Sequence, residues 1–569
     1  MFTVTDYTVF IFMLLLSTLI GIYFGYIKKQ QKTTNAYLLG GKQMHPIPVV
    51  ISLVASNVSG VTLLAVPTDV YLYGGNYFFV CIPIVAMGIL TYYLFLPVLL
   101  KLDVPNGYEY FNRRFNKTVR LLASFLFILQ VLATNPIMAY IPALAFSQAT
   151  GIQPYLITPV VCAICIFYTT IGGLKAVVWT DVFQFFLMIL SLVTILALGA
   201  ASMGGIKTVM QDVKAGERLD FDFSFDPTVR EGFWAITVGG SSLWLNFISF
   251  HPGTIQKYLS VSNPTHAKWL SVAMSLGALI FTIPSTLMGL VLYSKYKGCD
   301  PLSAGEVQKN DQILPYFVEN LAHDIPGLMG IFVAGIFSGA LSTLSSSFNT
   351  MAAAIYGDFI KSYTSDISQK SANYILRVIV VTSGVLCILL ALVVEKMGTI
   401  LSFATAMQSC LGGLFVGLFS LGMLFPMANS TGALCGTIFS AFISFWITSA
   451  NHVYKLRGVF DNNIKPLSVD NCDAEFNLTQ ITSTVDVDTP FVLYRLSHWY
   501  NGVIATVILV TVGLIVSSLT RADTEYVDPD LISPITIFLI NRKKSKSAKN
   551  YEYDLANQKV NMIIESEEQ

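Results

Sequence analysis

Charge is scarce in this chain. Asp, Glu, Lys and Arg make up 12% of its 569 residues, while 54% are apolar and the mean hydropathy is +0.63. So little charge cannot clothe a water-facing globule of this size. Also missing are an HExxH pair, a GxSxG elbow and a Walker-type loop, and the isolated carboxylates form no acid/base arrangement. No enzymatic activity, no catalytic residue and no organic cofactor are therefore expected. The 34 basic and 34 acidic residues cancel, and no nucleic-acid partner is expected. Cysteine is sparse as well: six of the eight (Cys81, Cys162, Cys165, Cys387, Cys410, Cys435) lie in apolar runs and read as packing residues. Cys162 and Cys165 are spaced like half of a metal site, but no second pair or nearby histidine completes it.

What is abundant is uninterrupted hydrocarbon. Windows of about 20 weakly charged residues recur thirteen times, which reads as an all-α polytopic membrane protein with 13 transmembrane helices. The first starts near Tyr7 with no cleavage-like site after it and reads as a retained helix. If the spans alternate, four basic clusters share one side: Lys28, Lys29, Lys32 and Lys42; Lys101, Arg113, Arg114, Lys117 and Arg120; Lys257 and Lys268; Arg542, Lys543, Lys544, Lys546 and Lys549. The positive-inside tendency makes that side cytoplasmic, so the expectation is a multi-pass plasma-membrane protein with its N-terminus outside and its C-terminus inside. Asn477 of Asn477-Leu478-Thr479 then falls in an extracellular loop as a glycosylation acceptor. Cys299 and Cys472 also fall outside, which leaves a disulfide between them open.

Two spans break the apolar rule. Around Ala55-Ser56-Asn57-Val58-Ser59-Gly60, short polar side chains compete with the helical ladder and Gly60 relaxes it, so an unwound middle is expected. In the ninth span, Ser338, Ser342, Ser345 and Ser346 recur at three- and four-residue intervals and make one polar face, with Thr343 and Ser347 beside it. Carbonyls freed by unwinding, together with neutral hydroxyls, can replace the water shell of a small hard cation without a fixed carboxylate. Either feature alone also describes an ordinary helix-packing seam. Spans two to six and seven to eleven each number five and each open with a helix rich in small or polar residues, and five is the odd count an inverted-topology repeat needs. The corresponding division is 1–45, an N-terminal helix and loop; 46–203, a first five-helix repeat; 204–232, an extracellular loop; 233–428, a second repeat; 429–522, two further helices; and 523–569, a cytoplasmic tail.

The string Gly172-Gly173-Leu174-Lys175-Ala176-Val177-Val178-Trp179-Thr180-Asp181, followed by Gln184, resembles the signature of the sodium/solute symporter family. Further strings resemble it in order, among them Ala55 to Gly60, Val66-Pro67, Tyr108 to Phe115, Tyr140 to Leu144, Gln256-Lys257-Tyr258 and Ser338 to Thr343. The thirteen-span count is most similar to the monocarboxylate, multivitamin and iodide branch. The resemblance implies a 5+5 inverted-repeat (LeuT-like) core and Na+ as the coupling ion. It implies a sodium site made by the carbonyls of Ala55, Val58 and Gly339 with the hydroxyls of Ser342 and Thr343. It also implies a coupling or gating role near the inner exit for Asp181; from the residues alone, an ionised carboxylate at that position is tolerable through water or a nearby cation such as Lys175.

No lysine or arginine lies in the middle of spans two, four, seven and nine, so an anionic solute would have to be balanced by bound sodium and helix N-termini. Thr62, Thr134, Asn135 and Trp244 are the substrate-side candidates by alignment with the family or by shape. His251 is a gating candidate, because His251-Pro252-Gly253 stands where relatives commonly carry a polar pair. The expected function is sodium-coupled import of a short monocarboxylate such as lactate, pyruvate or butyrate, by alternating access across the lipid bilayer. Vitamin (biotin, pantothenate) or inorganic anion symport, a channel, and a transport-inactive sensor remain open alternatives.

Overall fold

The computed structural model describes residues 2–27, 33–102, 107–323, 325–361, 367–394, 400–456, 464–472, 490–520 and 527–541, with backbone alone for 400–405. Asn477 and the tail beyond 541 lie outside them. Among the described residues the protein is a bundle of helices, ten of them long and apolar enough to cross a membrane, or eleven when a bent pair is counted as one span. It is a multi-pass membrane protein.

Local chemistry explains the helix boundaries. Asn116 accepts a hydrogen bond from the Val119 N–H at 2.9 Å and starts the Lys117–Thr150 helix, which stops at Gly151, where φ is +73°. Pro154 opens the next helix at its first turn, where a missing N–H costs nothing. That helix, Pro154–Ser202, has 49 residues, far more than one crossing needs, and it is broken at Gly173 (φ +53°, ψ −159°). A Cβ at Gly173 would meet the Tyr37 carbonyl at 2.8 Å, so the glycine permits both the turn and the contact.

The expected break in the second span is present. Pro46–Asn57 and Gly60–Tyr73 are separate helices inclined by 52°, with extended backbone at Val58 (φ −91°, ψ 100°) and Ser59 (φ −88°, ψ 171°). Against it runs Leu328–Ala354, the most deeply buried long helix described. The interior divides into two large apolar clusters. Leu64, Ile336 and Leu341 belong to one, and Ala55, Val58 and Leu63 to the other. The interrupted backbone therefore lies at the seam between two hydrocarbon cores. Peripheral helices turn Phe442, Phe445, Trp446, Leu389 and Ile515 outward, as lipid contact requires.

At one end of the bundle a clamp closes over the Gly60–Tyr73 helix. Arg218, 1% exposed, donates to the carbonyls of Tyr71, Leu72 and Pro466 and lies over the Tyr293 ring at 4.2 Å. Tyr71 donates to Asp300 at 2.6 Å, and Cys299 is disulfide-bonded to Cys472 with their Cα atoms 5.1 Å apart.

Candidate functional site

The site begins with two glycines. A Cβ on Gly339 would meet the Gly60 nitrogen at 2.7 Å, and a Cβ on Gly60 would meet the Ile336 carbonyl at 2.9 Å. Only hydrogen at both positions lets the two backbones touch. The contact draws the break and the hydroxyl face together: Thr343 Oγ1 donates to the carbonyls of Ser56 at 3.2 Å and Gly339 at 3.0 Å. Ala55, Val58 and Ser342 are buried alongside. Each hydroxyl has one proton to donate and keeps lone pairs for a cation, so Ser342 and Thr343 can be hydrogen-bonded and still offer oxygen. The donor set is neutral, and its chemistry suits an alkali cation that must be released again.

Asp181 is fully buried. Its carboxylate accepts from Ser52 Oγ at 2.6 Å, from Ser342 Oγ at 2.7 Å and from Lys257 Nζ at 3.0 Å. The partner is Lys257, which corrects the expectation of Lys175. Lys257, itself 1% exposed, also donates to the Ser52 carbonyl at 3.1 Å and to Ser56 Oγ at 2.8 Å. A lysine read as a loop cation is therefore a buried group bonded to the first half of the broken helix. It is carried by Pro252–Tyr258, a short helix set off from Asn246–Phe250 by extended backbone at His251 (φ −62°, ψ 125°). Pro252 starts the short helix by occupying its first position.

Beside the break and the hydroxyl face lies a narrow cavity of about 40 Å³, room for a few water molecules. Ser56, Asn57, Gln130, Thr134, Asn135 and His251 line it with Met138, Phe247, Thr343, Ser346, Ser347 and Gln408, and none of its lining residues is an acid, a lysine or an arginine. Thr134, Asn135 and His251 are thus brought together. Thr62 and Trp244 stay outside the lining, although Trp244 packs against Phe247 with ring centroids 6.0 Å apart. Asn135 Nδ2 and Gln130 Oε1 are buried without a partner, one donor and one acceptor on the same stretch of helix. An unpaired buried amide is costly unless a ligand or water completes it. Gln130 was missed because it stands one turn before Thr134, inside an otherwise unremarkable apolar run. The four-residue spacing was the available signal.

Residues 37–440 match the model of the Sodium:solute symporter family. The sodium-coupled monocarboxylate transporter 1 of Homo sapiens is 36% identical over 573 residues, covering 97% of this chain and 93% of that protein. Sodium-coupled monocarboxylate transporter 2 of Mus musculus is 36% identical over 96% of this chain and 89% of its own. The sodium-dependent multivitamin transporter of Oryctolagus cuniculus is 34% identical over 91% and 83%. A solved structure of a Na+-coupled sialic acid symporter, substrate-bound and outward-open, superposes with a TM-score of 0.75 at 22% identity, over 92% of this chain and all of that one. A nucleobase-cation-symport-1 family transporter in a closed conformation gives 0.51 at 13% identity, over 74% and 90%. The fold is that of these symporters.

Proposed function

The chain belongs to the Sodium:solute symporter family, and from that premise we propose that it couples the inward sodium gradient to uptake of a small organic monocarboxylate. The observation that carries this reading is the meeting of the broken helix with the hydroxyl face. Sodium is held by the carbonyls of Ala55, Val58 and Gly339 with the hydroxyls of Ser342 and Thr343, where Thr343 already bridges the two helices. The cavity adjoins that site through Ser56, Asn57 and Thr343. With no acid, lysine or arginine in the lining, bound sodium supplies countercharge to a carboxylate there, so each ligand lowers the electrostatic cost of the other. Asn135 Nδ2 supplies a free donor to the anion, and Val131, Met138 and Phe247 supply an apolar wall. Relatives named as sodium-coupled monocarboxylate transporters support the substrate class. The multivitamin relative supports a second reading.

The architecture follows from the same reading. Dividing Pro154–Ser202 at Gly173, joining the bent pair, and adding the shorter Ala235–Phe250 helix turns the ten long helices into thirteen crossings, with two five-helix repeats over 46–203 and 233–428. The N-terminus is outside the plasma membrane, and the basic face, including Lys101 and Arg114, is cytoplasmic. Asp181, with His251 at the neck of the short helix, gates the inner path, and Asn477 is a glycosylation acceptor.

The test is uptake into vesicles across a panel of lactate, butyrate, nicotinate, iodide, biotin, pantothenate and glucose, with sodium or choline outside. Sodium-dependent uptake of lactate or butyrate that is lost in Ser342→Ala and Thr343→Ala is expected. Uptake that is indifferent to choline replacement overturns the proposal.

A further inference from the structure

The last described segment, 527–541, does not trail away from the protein. Asp530 is paired with Lys101 at 2.6 Å, and the Tyr110 hydroxyl donates to the Leu531 carbonyl at 3.1 Å. Ser533 is fully buried; its N–H donates to the Met423 carbonyl and its Oγ to the Leu94 carbonyl, both at 2.9 Å. This strap joins the end of the Gly75–Leu102 span to the end of Ile400–Leu424, on the face that carries Lys101 and Arg114.

From Pro534 the chain becomes a two-turn helix over 534–541. One side of it rests on the protein: Thr536 Oγ1 donates to the Leu424 carbonyl at 3.4 Å, and Ile537 is half-buried. The other side presents Ile535, Phe538 and Leu539, which are 46%, 62% and 55% exposed. Those positions are spaced i, i+3 and i+4, so they form one apolar stripe facing away from the bundle. The helix is too short to cross a bilayer. Immediately after it the sequence reads Arg542, Lys543, Lys544, Ser545, Lys546, Ser547, Ala548 and Lys549, five cations among eight residues. An apolar stripe followed at once by a basic run matches the two chemistries of a charged membrane surface, acyl chains below and anionic headgroups above.

We propose that helix 534–541 and the basic run after it dock on anionic phospholipid of the inner leaflet, and so anchor the strap that joins two spans. The assignment to the inner leaflet rests on the orientation given above; the lipid chemistry does not. The occupant is lipid because the stripe belongs to an integral protein at the membrane boundary, where the partner of opposite charge is already present.

The full chain, carrying Leu539→Cys on a Cys435→Ser background that removes the exposed native thiol, is labelled with an environment-sensitive fluorophore. It is then reconstituted in phosphatidylcholine vesicles with or without phosphatidylserine. Phosphatidylserine is expected to shift emission to the blue and to lower quenching by a water-soluble quencher by about threefold or more, with the effect erased by molar salt. Replacing the five cations by Gln should abolish the phosphatidylserine effect, and Ser545→Asp with Ser547→Asp should weaken it. Quenching that is the same in both lipids, or a lipid effect that survives the Gln replacements, overturns the proposal in favour of a helix held by protein alone. Both leaflets of such vesicles contain the lipid and no transport is measured, so failure of uptake would count against symport and leave this result standing.

Discussion

Neutralising one member of the Asp181–Lys257 pair should move sodium affinity in a direction set by which charge remains. A cation ligated by the Ser342 hydroxyl stands about 5 Å from the carboxylate, where, at an effective dielectric of about 20, one unit charge contributes about 3 kcal/mol. The Lys257 ammonium, about 7 Å from the same point, opposes it by about 2 kcal/mol. In the intact pair the two nearly cancel. Asp181→Asn removes the attraction and leaves the ammonium, so the sodium concentration for half-maximal uptake should rise by about two decades. Lys257→Met removes the repulsion, so the same constant should fall by more than about tenfold, with slower turnover as release becomes limiting. Each single change also strands a buried charge, at about 3–5 kcal/mol of stability, whereas the double variant strands none. The assay is the initial rate of uptake against sodium concentration in proteoliposomes, normalised to correctly folded protein. Opposite shifts in the single variants and a near-parental value in the double variant are expected. An Asp181→Asn constant within twofold of the parent, or shifts of the same sign in both single variants, would refute the electrostatic account.

Gly339→Ala inserts a methyl group 2.7 Å from the Gly60 nitrogen, so the helices must part and sodium-driven uptake should fall by at least about tenfold with little loss of folded protein. Cys299→Ala with Cys472→Ala opens a loop of 173 residues and should lower stability by about 2–4 kcal/mol, read as earlier thermal inactivation. At Asp311, in the short turn Asn310–Gln312 outside the spans, burial first and the charge of Asp69 second raise the carboxyl pKa to about 6 against the opposing Lys309. The folded protein therefore holds this proton more tightly than the unfolded chain does, and stability falls as pH rises from about 4 to about 6. Asp311→Asn should flatten that slope, as measured by inactivation temperature across the same pH range.

The broken helix and the hydroxyl stripe were legible because polar residues are expensive within a membrane span and so stand out against its apolar pattern. The close crossing of Gly60 and Gly339 shows only in the structure, where a Cβ on either glycine would meet the other helix's backbone within 3 Å. The partner of Asp181 was not legible, because its geometry is tertiary. Lys257 is 76 positions away, on a short helix whose direction depends on the extended backbone at His251. One part of that error was avoidable from helical geometry alone. Lys175 precedes Asp181 by six positions, which places it about 240° around the helix, while the positions that share a face are three and four away. Gln184, three residues beyond Asp181, lies on the shared face and is fully buried with both amide atoms unpartnered. The thirteen crossings expected from hydropathy exceed the ten long apolar helices, or eleven with the bent pair, of the described residues. A turn at Gly173 uses glycine's left-handed freedom without interrupting the apolar pattern, so hydropathy alone does not mark where this 49-residue helix is broken. The residues that line the cavity are the least legible of all, because which amide atoms are left without partners depends on how helices far apart in the chain pack.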